Sequence, residues 1–506
     1  MKTYRIHQIK LKTDEPVSDI PEIIKKACGK NTDIISWKAV RRSVDARDKG
    51  DIRIVYSVDF TTSAESLDLA EAPDLTYRYP VEPGTGGQLT AKRPVIAGFG
   101  PCGMFCALIL SQMGLAPIVI ERGKSVDERT ADIAKFWKDG ELDTESNVQF
   151  GEGGAGTFSD GKLTTGIKDP RVRKVIEEFA AAGAPADILI DAKPHIGTDI
   201  LKTVVKNIRL KIIAGGGEVR FGEKLESIVS SGNVLKGIRL HSGETIAADD
   251  LVLAVGHSAR DTFMMLRENG FEMIQKPFSI GVRIEHEQEL INKAQYGDPG
   301  LAAKLGPADY KLHYHARSGR GVYTFCMCPG GNVIVASSEE GGVVTNGMSG
   351  SFRDGRYANS GLLADVRPDD FASSDPLAGV EFQRKYERLA FRLGGGDYTP
   401  PETLWKDFAG SAVDRSLPEF ASASINEAMP FLGRKLRGFD SPYSKLIGVE
   451  TRSSSPVRLL RDENMMTKIA GVYACGEGAG YAGGIVSAAA DGIRAAEKIA
   501  LRYTGE

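Results

Sequence analysis

One run of residues, Val95 to Glu121, limits what this chain can fold into more than any other. Val95-Ile96-Ala97 is a short apolar strand, and Gly98-Phe99-Gly100-Pro101-Cys102-Gly103 follows it directly. A helix-forming stretch then runs through Ser111 and stops at Gly114, before a second strand, Ile118-Val119-Ile120, that ends in Glu121. Each glycine of this pattern has a physical use. Gly98 permits a tight turn, Gly100 lets the backbone approach a pyrophosphate, and Gly103 lets helix and strand pack closely. The helix then turns its positive end toward the phosphates. Glu121 can accept hydrogen bonds from ribose hydroxyls. Pro101, Cys102, Arg122 and Arg129 stand beside these positions and are assigned to the cofactor with them. The pattern predicts a dinucleotide cradle in a parallel α/β sheet. NAD and FAD both use an acid at this place, so the cradle alone leaves both open.

The 27 residues from Pro94 to Ile120 carry no charge, a length that could span a bilayer. Pro101, Pro117 and four glycines work against a helix that must satisfy its own backbone in lipid. The stretch is expected to be buried in protein, with no membrane partner. Lys and Arg number 64 against 67 Asp and Glu, a net charge of −3, so no nucleic-acid partner is expected. The first 60 residues hold 13 basic and 9 acidic side chains, which reads as a solvated face. Six cysteines in so long a chain make no disulfide scaffold and fit a reducing cytoplasm. The N-terminus lacks the apolar core of a signal peptide.

A second glycine-dense loop, Gly151 to Gly161, contains Gly153, Gly154, Gly156 and Thr157 and suggests backbone pressed against something flat or phosphorylated. Helices are expected after Asp169-Pro170 and from Thr198 to the stop at Gly215-Gly216-Gly217. A small meander follows, then an apolar strand ending in Ala-x-Gly at Gly256. Late in the chain, Ile469 to Ala474 is a strand running into Gly476-Glu477-Gly478. Gly484-Ile485 then opens a small-residue helix. An acid there can bind ribityl hydroxyls, and the helix N-terminus can stabilise negative charge on a reduced flavin.

The first glycine loop, the Ala-x-Gly strand end and the late strand–acid–helix element together resemble the FAD-binding fold of the glutathione-reductase-like flavoproteins. Glu477 stands where many members have Asp, which makes that contact longer. More closely, "SNVQFGEGGAGTFSDGKL", "KPFSIGVRIEH", "YTFCMCPGG", "ETRSSSPVR" and "GEGAGYAGGI" resemble a group of bacterial FAD-utilising dehydrogenases. "RRSVDAR" at Arg41–Arg47 is similar to their N-terminal domain. The resemblance implies FAD and names no substrate. No second strand–GxGxxG–helix unit follows, so nicotinamide nucleotide, NAD(P)H, is expected only as a transient electron donor.

The expected fold class is α/β: a Rossmann-like FAD-binding domain split by an inserted α+β substrate domain and preceded by a small N-terminal α/β domain. The expected bounds are 1–82 for the small domain, 83–94 for a linker, 95–270 and 446–506 for the two FAD-binding parts, and 271–445 for the insertion. By fold analogy a small-molecule substrate binds between insertion and cradle.

The candidates for chemistry are Cys326, Cys328, Lys162, His195 and Arg452. Cys326-Met327-Cys328 admits a redox pair or a plain buried strand. With His313 and His315 it also suggests four metal ligands, but the one-residue gaps are shorter than structural zinc uses, so no metal is assigned. His195 could be a general acid or a helix-entry hydrogen bonder. Lys162 could support the flavin or a substrate anion or be solvated, and Arg452 could hold a carboxylate or phosphate or lie on a surface hairpin. His257 is expected only to shape backbone. The function expected is an FAD-dependent oxidoreductase exchanging hydride with flavin N5. The alternatives are a flavin-dependent RNA-modifying or RNA-associated protein, and a non-catalytic FAD-stabilised partner-binding protein.

Overall fold

The computed structural model describes residues 1–29, 32–64, 66–86 and 92–504. Part of the expected linker, residues 87–91, lies outside the described residues.

Five short strands form a parallel sheet in the order Val472–Ala474, Leu251–Leu253, Val95–Ala97, Ile118–Glu121, Glu218–Phe221. The expected strand–loop–helix–strand unit is therefore its centre. Every one of these strands except Glu218–Phe221 is wholly buried, as both-sided coverage requires. Helices Pro101–Gln112, Thr198–Ala214 and Ile485–Thr504 cover one face; the meander Leu225–Ser231, Val234–Leu240, Thr245–Ala247 covers the other. Ten of the twelve residues of Pro101–Gln112 are buried, which explains its lack of charge: a helix apolar all round belongs inside. The final helix crosses it closely, since a Cβ on Gly492 would lie 2.0 Å from the Cys102 carbonyl oxygen. No helix among the described residues is long and apolar enough to cross a membrane.

The insertion folds on a six-stranded sheet in the order His313–His315, Gly321–Cys328, Tyr357–Val366, Phe278–Glu287, Lys445–Glu450, Glu402–Leu404. Along Phe278–Glu287 the residues alternate between faces. Ile280, Val282 and Ile284 enter a core beneath helices Ala378–Leu393 and Glu419–Lys435. Gly281 and Arg283 point the other way, so this face of the sheet is polar. Lys445–Glu450 pairs with Phe278–Glu287 inside this sheet, and the chain rejoins the parallel sheet only at Val472. The second boundary thus falls later than residue 446.

The N-terminal residues form an antiparallel sheet, Lys2–Lys12, Arg53–Thr62, Ser36–Asp45, with helix Ile20–Cys28 packed on one face. Arg42 anchors it to the main body through Asp191 (2.7 Å) and Asp187 (3.0 Å). The segment after it belongs with the parallel-sheet core: Val81 is buried there, and Tyr77 and Tyr79 donate to Glu497 and Gln112, each at 2.8 Å.

Candidate functional site

The glycines sort into those the protein needs for its own packing and those it does not. A Cβ on Gly98 (φ +103°) would lie 2.4 Å from the Ala254 carbonyl oxygen, and one on Gly103 would lie 1.9 Å from that of Gly98. Gly100 is different: its Cβ would meet nothing nearer than Gly154 Cα at 3.7 Å. Cβ atoms on Gly256 and Gly484 would meet nothing within 4 Å. The second loop closes on the first, with Gly154 abutting Gly100 and Pro101, and a Cβ on Gly156 would lie 3.0 Å from Ile485 Cγ1. Three segments distant in sequence, opened by Gly100, Gly154 and Ile485, therefore converge.

Glu121 is buried, and its carboxylate accepts from the N–H groups of Phe99 (2.7 Å), Gly123 (2.9 Å) and Gly151 (3.0 Å). It ties the two glycine loops together, a role the sequence did not suggest. Arg129 corrects its assignment. Fully buried, it donates to the carbonyl oxygens of Asn147, Val148 and Glu152 and so staples the second loop from behind instead of reaching a ligand. Burial pulls its guanidinium down to about 10. Arg122 is likewise committed, to Glu145 and both carboxylate oxygens of Asp261, and it stacks on Phe150. Cys102 is buried under Gly476, and Thr157 is buried against Gly153, its hydroxyl donating to the Glu152 carbonyl. Glu477 has no side-chain hydrogen bond among the described residues. Burial pushes its carboxyl up to about 7, against the pull of Lys276. A half-buried acid without donors beside a glycine turn suits the hydroxyls of a ribityl chain. The residues present fit FAD.

Four of the five chemistry candidates come together at the end of the second loop, against the polar face of the inserted sheet. Lys162 Nζ lies 3.1 Å from Asp160 and 4.0 Å from Cys328 Sγ, and its backbone bridges to His195. Burial works against its charge, but Cys328, Asp160 and Cys326 outweigh it and raise the ammonium. Asp160 also takes both arms of Arg353, at 2.8 and 2.5 Å, and accepts from Ser349. Burial opposes its ionisation, yet Lys162 and Arg353 hold the carboxyl far below the usual range. His195 Nε2 meets the Ser351 carbonyl oxygen at 3.1 Å; a carbonyl only accepts, so this nitrogen carries the proton and Nδ1 keeps a lone pair. Burial, then Arg353, lowers its pKa, so the ring is neutral at physiological pH.

Cys326 and Cys328 do not behave as a regular strand. Cys326 has φ +43°, and the pairing with Tyr357–Val366 shifts register between Phe325 and Cys328. The bulge leaves Cys326 exposed while Cys328 stays buried. Solvent reaches Cys326, yet protein surrounds it densely enough that desolvation pushes its thiol up to about 11. His313 and His315 pair with Tyr323 and Gly321, in register with neither cysteine. Among the described residues no group of three or more His, Cys, Asp or Glu is placed to hold a metal.

Arg452 is corrected on both readings. It is no surface hairpin residue, because its side chain is 4% exposed. Nor is it free for a substrate carboxylate, because it binds Glu387 (2.9 Å), Ser338 (2.6 Å) and Ser258 (3.0 Å). Arg260 grips the same Glu387 at 2.7 and 2.8 Å and Glu339 at 2.6 Å. Burial opposes ionisation of Glu387, but Arg260 and Arg452 hold it well below the usual carboxylate range. His257 lies against this cluster with Nδ1 2.9 Å from Ser258 Oγ; burial, Arg452 and Arg260 lower it to about 3.

Sequence reasoning missed Asp160, Arg353 and Arg283. Arg283 had a signal: an arginine among alternating Ile280, Val282 and Ile284 must sit on the opposite face. It is fully buried, with Nη1 3.1 Å from Glu450 and Nη2 3.0 Å from the Cys326 carbonyl oxygen and 3.8 Å from Cys328 Sγ.

Fold and site define a class: a dinucleotide-binding α/β protein whose cradle is split by an antiparallel cap. The chain belongs to the same family as an uncharacterized protein of Clostridium beijerinckii, 46% identical over 530 aligned positions that cover 99% of each chain. Residues 277–415 match the family described as "FAD-dependent protein, C-terminal domain-like", and residues 3–61 match a domain of unknown function. FAD is the cofactor. Among solved structures, the flavin-dependent brominase Bmp2 is 15% identical with a TM-score of 0.41, covering 82% of this chain and 80% of its own. The glycerol-3-phosphate dehydrogenase of Bacillus halodurans complexed with FAD is 12% identical with a TM-score of 0.37, covering 83% and 66%. Nothing further rests on either likeness.

Proposed function

We propose that this chain is an FAD-dependent oxidoreductase that handles a small-molecule substrate in the cleft between the second glycine loop and the polar face of the inserted sheet. Bound FAD would supply hydride exchange at flavin N5. Gly98, Gly100, Gly103, Gly154, Gly156, Gly484 and Glu477 would hold it. Lys162 offers a fixed positive charge in the cleft, and Asp160 keeps that charge in place. Neutral His195, its Nε2–H spent on Ser351, presents Nδ1 as a proton acceptor. Nicotinamide nucleotide would serve as a transient donor, because the described residues form one dinucleotide cradle and FAD would fill it.

The observation that carries this reading is the shared loop: Gly154 abuts Gly100 at one end, and Lys162 meets Cys328 at the other. Anaerobic reduction of the purified protein across a metabolite panel tests it by flavin bleaching. Bleaching by NADH or NADPH alone identifies a reductase, and bleaching by an organic metabolite identifies a dehydrogenase. A protein whose flavin none of them reduces would refute the reading.

A further inference from the structure

We propose that Cys326 and Cys328 form a redox-active dithiol that exchanges two electrons with the flavin and meets thiol or disulfide substrates through Cys326. The inference rests on the function proposed above, and three features of the chain carry it.

First, of the six cysteines Cys326 alone is exposed. Cys102, Cys106, Cys328 and Cys475 are buried, and Cys28 lies in the N-terminal domain. Second, the backbone is bent to put it there. A left-handed φ of +43° is uncommon for a non-glycine residue, and such conformations gather where function requires them. In an extended strand, Cα atoms two residues apart stand about 6.5–7 Å apart, at the edge of disulfide reach. The bulge departs from that extended geometry, and Cys328 Sγ lies 3.3 Å from the carbonyl oxygen of Cys326. Third, Lys162 Nζ at 4.0 Å and Arg283 Nη2 at 3.8 Å both face Cys328 Sγ. Thiol–disulfide exchange passes negative charge between sulfurs, and two cationic donors lower the cost of carrying it. Arg283 Nε and Asn359 Nδ2 are buried beside them without partners among the described residues, so the polar shell has donors to spare.

The step balances within the holoenzyme. Two S–H bonds break and one S–S bond forms between Cys326 and Cys328. FAD, when bound, would take up the two electrons and one proton, and the second proton would go to solvent. In the opposite sense reduced FAD would return two electrons and open the disulfide, and the dithiol would pass them to a disulfide-containing substrate.

The test uses the FAD-loaded protein under anaerobic conditions. After denaturation, alkylation with iodoacetamide and proteolysis, the peptide spanning 326–328 should carry no label at these cysteines from the oxidised protein. It should carry two labels after dithiothreitol has bleached the flavin. Cys326→Ser and Cys328→Ser should keep FAD and bleach with dithiothreitol about tenfold or more slowly. The wild-type labelling stands by itself if a variant fails to fold. Two labels on the oxidised, FAD-replete protein would overturn the dithiol and leave the oxidoreductase reading intact. Wild-type protein that binds no FAD would overturn the function reading itself.

Discussion

Two of the buried charged clusters among the described residues, one around Glu387 and one around Lys162, differ in what they leave undone. Around Glu387, each carboxylate faces two guanidiniums: Arg260 and Arg452 on Glu387, and Arg260 and Arg384 on Glu339. Arg260 starts a helix of the cradle domain and Glu387 sits on the helix Ala378–Leu393 of the insertion, so this cluster clamps the two domains. Around Lys162 the charges are also paired, through Asp160, but two thiols and a neutral imidazole stand beside them and one thiol is open to solvent. A saturated cluster is structure. A cluster that keeps a nucleophile, a proton acceptor and access is equipped for chemistry.

The largest effect should come from breaking the closed cluster. Glu387→Ala leaves two buried guanidiniums facing each other, and losing one partner of such a group costs about 3–5 kcal/mol. Chemical denaturation should read that loss, with any loss of flavin following from unfolding. A change below about 1 kcal/mol would mean the clamp carries no stability.

Glu477 gives the next effect, and it depends on pH. Its folded value is raised to about 7, so the folded apoprotein disfavours the charge that the unfolded chain accepts. Stability of the apoprotein should therefore fall as pH rises from the ordinary carboxylate range to about 7, then level off. Glu477→Gln should abolish that slope, a difference of roughly 3 kcal/mol at pH 8 that vanishes near pH 4. Parallel pH profiles for the two proteins would show that the carboxyl is not desolvated.

The smallest structural effect belongs to the open cluster. Lys162→Met removes an ammonium that is 28% exposed and whose partner Asp160 keeps Arg353. Thermal or denaturant stability should change by less than about 1 kcal/mol, while substrate-dependent flavin bleaching slows. Equal losses in stability at Lys162 and Glu387 would erase the distinction between the clusters.

The same contrast marks what could be seen in the sequence. The cradle was legible because its signals are local: strand, glycine spacing, helix and acid lie within residues 95–121. Glu477 and Gly484 were legible for the same reason. Arg452 was misjudged because Glu387, its partner, lies 65 residues away on another element. Arg129 sits close to the motif, but only the fold shows its donors turned to carbonyls behind the loop. The cysteine pair was visible as a motif, but the bulge that separates an open thiol from a buried one comes from a register shift against Tyr357–Val366. Side-chain partners set by pairing across the chain escaped the reading, although the split α/β fold did not.

The central claim is that three distant segments enclose one FAD. It is tested most directly by the FAD released on denaturing purified wild-type protein and Gly100→Val. Gly100 has no protein atom within 3.7 Å of its Cβ position, so a side chain there should displace ligand before it disturbs the fold. The account predicts one FAD per wild-type chain and almost none in a variant that keeps its secondary structure. Equal FAD in both, or none in the wild type, would contradict it.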